Sequence, residues 1–215
     1  MNRRLIGILG LSITIIFTIG FIGLFLYNPI TYEELNNVSL TQYNLIGMNG
    51  RLLLIYVNYI TVGLISCVLT IGLFTMTKNN SIIVAGKILL LLSGILWTSF
   101  GLIPWDMNSD FGNHLMLTRT IAMLSTGPIG LIILGARFEQ IFNDKFLKYY
   151  TLTTAGAILL LGLLSAFVFW DKTWIRTNIS LTIYFIWFGV FGLRILQKKP
   201  APNKVFMPVV GDGLK

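Results

Sequence analysis

The chain has 215 residues, enough for one domain; 55% are apolar, only 11% are charged, and the mean hydropathy is +0.79. A soluble domain carries about a quarter charged residues, so this surplus of apolar surface calls for lipid to cover it. The net charge of +8 does not point to nucleic acid, because the basic residues stand in ones and twos at the ends of apolar runs and form no stripe.

The chain opens on Met1-Asn2-Arg3-Arg4 and an apolar run from Leu5 to Tyr27. That run is longer than the apolar region of a signal peptide, and no small-residue cleavage site follows it. It predicts an uncleaved first transmembrane helix. A long polar segment of about 28–51 follows, with Pro29, Glu33-Glu34 and Tyr43-Asn44-Leu45-Ile46-Gly47, and reads as a capping or re-entrant piece. The second run, Leu52–Met76, carries Asn58 at mid-span, either lining a cavity or hydrogen-bonding a neighbouring helix. It also holds the only cysteine, Cys67, which excludes an internal disulfide and reads as a packing residue. Lys78-Asn79-Asn80-Ser81 is a tight turn before the third run, Ile82–Ile103.

Between the third and fourth runs lies a polar stretch, Pro104–His114, with the chain's one histidine and two of its eight acids. Arg119 follows, about one turn inside the fourth run, Leu115–Ala136. A helix starting near Ser109 puts Asp110, His114 and Thr118 on one face, with Asp110 placed to cap it. Arg119 at that depth must either snorkel outward or pair with Asp106, Asp110 or Asp171. Gly127-Pro128 reads as a single break without a counterpart elsewhere, so no inverted repeat is indicated. The fifth and sixth runs are Tyr150–Trp170 and Asn178–Leu196, the latter entered by Arg176. Trp105, Tyr149, Tyr150, Trp170 and Trp174 stand where interfacial anchors belong, and Gly20, Gly23, Gly156, Gly162, Gly189 and Gly192 where helices can approach closely. The last segment, 197–215, is a basic tail beyond the 1–196 transmembrane domain.

The expected fold class is therefore all-α, a polytopic membrane protein of six transmembrane helices. With the amino terminus inside, twelve of the sixteen lysines and arginines fall on the cytoplasmic side and four, Arg51, Arg119, Lys172 and Arg176, outside. The positive-inside bias then predicts both termini in the cytoplasm.

The polar residues at the outer side suggest a shared site. His114 suits a general base oriented by Asp106, since its ordinary pKa is near neutrality. Arg119, Arg176, Asp110, Arg51 and Asn58 are the candidate ligand-binding residues, because arginine's fork suits phosphate or carboxylate. A metal at Asp106, Asp110 and His114 is disfavoured by the neighbouring arginines, and no cofactor is expected. Ser109 near His114 lacks the glycine pattern of a hydrolase elbow. The expected partners are membrane lipids, with a lipid headgroup or small anionic solute as ligand. Three alternatives remain open: an enzyme acting on a lipid-linked substrate, a transporter, and a non-catalytic scaffold.

These residues resemble the DUF998 family of bacterial and archaeal membrane proteins. The family's phenylalanine-proline-x-aspartate with a later histidine reads here as Ile103-Pro104-Trp105-Asp106 and His114. Its arginine entering the last helix and the tryptophan within that helix read as Arg176 and Trp187. The region around Tyr43–Gly47, Asn58 and Gly63 matches more loosely. The chain departs from the pattern at Ile103 and at Ile175, where an acid is usual before the arginine. The resemblance implies a six-helix protein of the cytoplasmic membrane with a polar site near one face. It supplies no substrate.

Overall fold

The computed structural model describes residues 2–27, 51–76, 80–103, 109–167 and 173–197, all helical apart from short caps and turns. The helices are α1 (Arg3–Tyr27), α2 (running from Arg51 to Met76), α3 (Ser81–Leu102), α4 (Asp110–Phe142), α5 (Lys145–Phe167) and α6 (Thr173–Gln197). Five of these are long and apolar enough to cross a membrane. The other, α5, begins with Lys145 and Lys148 and turns apolar from Tyr150 onward. Several membrane-crossing helices of this kind fit a multi-pass membrane protein.

The polar turns place the helix starts. Asn80 caps α3 by accepting from the Ile83 amide at 2.8 Å. Ser109, not Asp110, caps α4, accepting from the Gly112 amide at 3.2 Å. Asn143 ends α4 in the left-handed conformation at φ 51°, and Asp144 then caps α5 through Leu147 at 2.9 Å. The α4 helix runs unbroken through Pro128, so the expected break at Gly127-Pro128 is absent. The irregular helix is α2, where Leu54–Thr61 is wound as a π-helix between α-helical Arg51–Leu53 and Val62–Met76. Within it the Thr61 hydroxyl donates to the Tyr56 carbonyl five residues back, at 2.6 Å.

Each helix packs on its chain neighbours, and α1 against α6 closes the ring. On α1 the inward stripe is Ile6, Gly10, Ile13, Phe17 and Gly20, the i, i+4, i+7 spacing of one helical face. Its outward face is equally apolar, with Ile15, Ile19 and Ile22 more than half exposed. The same outward apolar character recurs at Ile71, Ile95, Leu117 and Leu160, which makes a belt that water would not tolerate. The ring is filled by aromatic side chains. Phe17, Trp97 and Phe185 meet at its centre, and the Tyr184 hydroxyl bonds Ser93 at 3.0 Å.

Close approach of α1 and α6 depends on glycine. A Cβ at Gly192 would lie 2.5 Å from the Gly7 carbonyl, and one at Gly10 would lie 2.6 Å from the Phe188 carbonyl. Gly20, Gly23 and Gly189 also face a neighbouring helix, as expected, whereas nothing lies within 4 Å of a Cβ at Gly156 or Gly162. Those two glycines do not mediate contact between the described helices. The expected outer segment 28–51, apart from Arg51 itself, and the tail from 198 onward lie outside the described residues.

Candidate functional site

The antiparallel ring brings the start of α2, the end of α3 and the starts of α4 and α6 to one end of the bundle, here the Asp110 end. Asp144 and the α4–α5 turn mark the other. The opening of α4 distributes its polar residues over two faces. Asp110, His114 and Thr118 are exposed and share one face, as the spacing predicts. Arg119 is 5% exposed and points into the bundle. Five residues at 3.6 per turn rotate Arg119 roughly 140° from His114, so the expected convergence of the two in one hollow does not occur. Arg176 is half-buried in the first turns of α6, at the same end of the bundle. Arg51 begins α2, but its side chain lies outside the described residues, as do Asp106 and Asp171. The proposed pairing of His114 with Asp106 falls there too.

Arg119 is held by α3. Its Nη1 donates to the Ser99 carbonyl at 2.8 Å and the Ile103 carbonyl at 3.3 Å, and its Nε reaches the Leu115 carbonyl at 3.4 Å. The guanidinium also lies 4.9 Å from the centre of the Phe100 ring. The carbonyls at the end of α3 carry the negative end of the helix dipole, and that of Ser99 also accepts from the Ile103 amide at 3.0 Å. Arg119 caps them, and the aromatic face adds a cation–π contact. Dipoles and a ring offset part of the desolvation cost but do not cancel the charge. Among the described residues no carboxylate lies within ion-pair distance of Arg119; the three ion pairs described are all at the Asp144 end.

Behind Phe100 stands an aromatic wall. Tyr59 lies 5.6 Å from Phe100 and 5.0 Å from Trp97, ring centre to ring centre. The Trp97 indole N–H donates to the Asn58 backbone carbonyl at 2.7 Å. Asn58 itself is 0% exposed, and among the described residues neither its side-chain oxygen nor its nitrogen has a hydrogen-bond partner. The amide faces α1, so closely that a Cβ on Gly20 would collide with Oδ1. The expected alternative, an inter-helix hydrogen bond from Asn58, is therefore not made with any described residue. An intramembrane amide normally finds such a partner, because an orphaned one costs about 1–3 kcal/mol.

The Asp144 end contains pairs that the sequence reading used only as topology marks. Arg194 of α6 grips Asp144 with Nε and Nη2, both at 3.2 Å, and lies 4.9 Å from the Phe146 ring. Glu139 accepts from Lys148 at 2.9 Å. The available clue was an Asn-Asp pair between two helices, which could have suggested a cap, though not its arginine fifty residues on. Among the described residues, no three His, Cys, Asp or Glu side chains gather as metal ligands would.

Comparison of the chain with known protein families, with curated proteins and with solved structures finds no match.

Proposed function

We propose that the chain is an integral protein of a bacterial or archaeal cytoplasmic membrane, of the DUF998 type, with both termini cytoplasmic. Its Asp110 end then faces outward and binds a polar or anionic headgroup or small solute. The orientation is supported by the twelve-to-four division of basic residues. One observation carries the binding role: the Arg119 guanidinium is buried among carbonyls and an aromatic ring, and keeps its positive charge without a described carboxylate. A charge retained in such surroundings attracts an anion strongly, because little water screens it. Arg176 on α6 brings a second cation to the same end, and exposed His114 and Asp110 lie at the rim.

The test is thermal unfolding of purified protein in phosphatidylcholine nanodiscs with and without phosphatidylglycerol. A ligand that binds the folded state raises the midpoint by mass action. Wild type should rise by several degrees; Arg119→Met should not rise, and Arg176→Ala should rise less. Met fills the aliphatic space of Arg119, so the folded protein survives for measurement. An unchanged rise in Arg119→Met would remove the basis of the reading.

A further inference from the structure

A guanidinium carries five N–H groups on its nitrogens, and backbone carbonyls already engage most of those of Arg119. Nη1 donates to the Ser99 carbonyl at 2.8 Å and to the Ile103 carbonyl at 3.3 Å, which uses both of its hydrogens. The single hydrogen of Nε points at the Leu115 carbonyl, 3.4 Å away. What remains is Nη2, with two N–H groups and no acceptor among the described residues. Arg119 keeps 5% of its surface open. Among the described residues, the fully buried side-chain nitrogens without a partner belong to Arg3 and Asn58, and Nη2 of Arg119 is not one of them. It is the part of Arg119 still open to a ligand.

This occupancy removes the feature that makes arginine selective. An open guanidinium recognises carboxylate or phosphate by two parallel bonds, one from Nη2 and one from Nε or Nη1. In Arg119 either partner nitrogen already faces a carbonyl oxygen. A ligand oxygen placed there would lie against that carbonyl, oxygen to oxygen, and would have to displace it. The two hydrogens of Nη2 diverge, so by themselves they cannot make parallel bonds to one carboxylate or phosphate. The paired-oxygen recognition that the sequence suggested is therefore closed at this residue.

We infer that Arg119 divides its guanidinium between two tasks: Nη1 holds the end of α3, and Nη2 alone holds the anion, through one oxygen. This rests on the reading of Arg119 as the anion-binding residue, and it names what that residue selects. Such a contact reads charge and ignores shape. The ligand class is a singly charged oxyanion, of which the phosphodiester of an acidic headgroup is the membrane's own example. Phosphatidylcholine carries the same phosphodiester but brings a choline cation with it, which a buried guanidinium repels. Phosphatidylglycerol and phosphatidylmethanol differ only in the part of the headgroup that this contact does not touch.

Solid-state nuclear magnetic resonance of protein with isotope-labelled arginine, in phosphatidylcholine bilayers, reads the guanidinium nitrogens separately. The Arg119 resonances are those missing from Arg119→Met. Adding phosphatidylglycerol should move one Nη resonance and leave the other Nη and Nε in place. Movement of two overturns the inference, since paired bonds need two nitrogens. Lysine offers a charge without a fork, so Arg119→Lys should keep the lipid-dependent rise in unfolding midpoint, at an affinity lowered by no more than about tenfold. A loss as complete as in Arg119→Met, in a protein that still folds, also overturns it; if lysine prevents folding, the resonances decide alone. Wild type should bind phosphatidylglycerol and phosphatidylmethanol within about threefold of each other, and a preference of about tenfold for either would show that more than charge is read. Millimolar dimethyl phosphate separates the sources. Movement of the same resonance by it assigns the anion to water, and no movement beside a lipid response assigns it to the headgroup. Failure of the underlying reading looks different: no Arg119 resonance moves, and the midpoint rises with none of these anions.

Discussion

The two ends of this bundle differ in how their described charges are paired, for all three ion pairs lie at the Asp144 end. At the Asp144 end the described carboxylates are paired: Arg194 forks onto Asp144, and Glu139 takes Lys148 at 2.9 Å and Lys145 at 3.9 Å, while Nε and Nη2 of Arg3 at the start of α1 are buried with no hydrogen-bond partner among the described residues. Asp144 does double duty, since the same Oδ1 caps α5. Around it Phe138, Phe142, Trp187 and Phe191 pack ring against ring, and the α1–α6 glycine contacts close nearby. At the Asp110 end Arg119 has carbonyls and a ring, the Asn58 amide has no partner among the described residues, and α2 is wound irregularly. Regular helices, filled glycine contacts and satisfied charges serve to fix a fold. Departures from them collect where a protein holds capacity for something else.

The strongest way to break the comparison is to remove the carboxylate that anchors the satisfied end. Asp144→Ala should lower stability by about 3 kcal/mol, since it strands a guanidinium and deletes a helix cap together. The Asp144 side chain is 2% exposed, so water cannot replace it, whereas Arg194 at 36% can turn partly outward and limit the loss. Unfolding by sodium dodecyl sulfate titration, followed by circular dichroism, measures the change. A loss below about 1 kcal/mol would mean the pair stabilises no more than a surface bridge, and the contrast between the ends would vanish.

The opposite sign is expected at the other end. Asn58→Leu should raise the stability of the ligand-free protein by about 1 kcal/mol, because it removes two buried polar atoms that lack partners. The same titration reads it. A destabilisation of similar size would show that the amide is bonded in the folded membrane protein, and would place Asn58 with the structural residues of the Asp144 end.

Much of this architecture was legible in advance, and the reasons differ by element. The apolar runs located all six described helices, because the length needed to cross a bilayer is written directly in composition. They measured the apolar part and not the helix. Leu115–Ala136 became Asp110–Phe142, since Asp110, Arg137, Glu139 and Gln140 continue a helix perfectly well in headgroup or water. The face shared by Asp110, His114 and Thr118 followed from spacing, but the burial of Arg119 behind it did not. That required knowing that α3 ends alongside and turns the Ser99 and Ile103 carbonyls toward it. The π-helix at Leu54–Thr61 has no sequence mark, because it differs from an α-helix by the register of backbone bonds alone. Gly127-Pro128 misled in the other direction. The chain absorbs the proline within α4, and Gly127 is used instead to seat Ser93 and Tyr184, whose atoms lie 2.9 and 3.0 Å from where its Cβ would be.

The smallest effect is expected from the pair that most resembles a stabilising feature. Glu139 and Lys148 are joined at 2.9 Å, but their side chains are 33% and 26% exposed and sit among further polar groups at the surface. Water and salt compete for both, and holding two long side chains in one geometry costs entropy. Glu139→Gln keeps the shape and one acceptor while removing the charge. It should leave the unfolding midpoint within experimental error at 0.15 M salt, a concentration at which charges exposed to solvent are screened over about 8 Å. A clear drop, one that shrinks as salt is raised, would show that Glu139 belongs with Asp144 in a single charged network. The satisfied end of the bundle would then be held by cooperation among its pairs, and not chiefly by the Asp144–Arg194 fork.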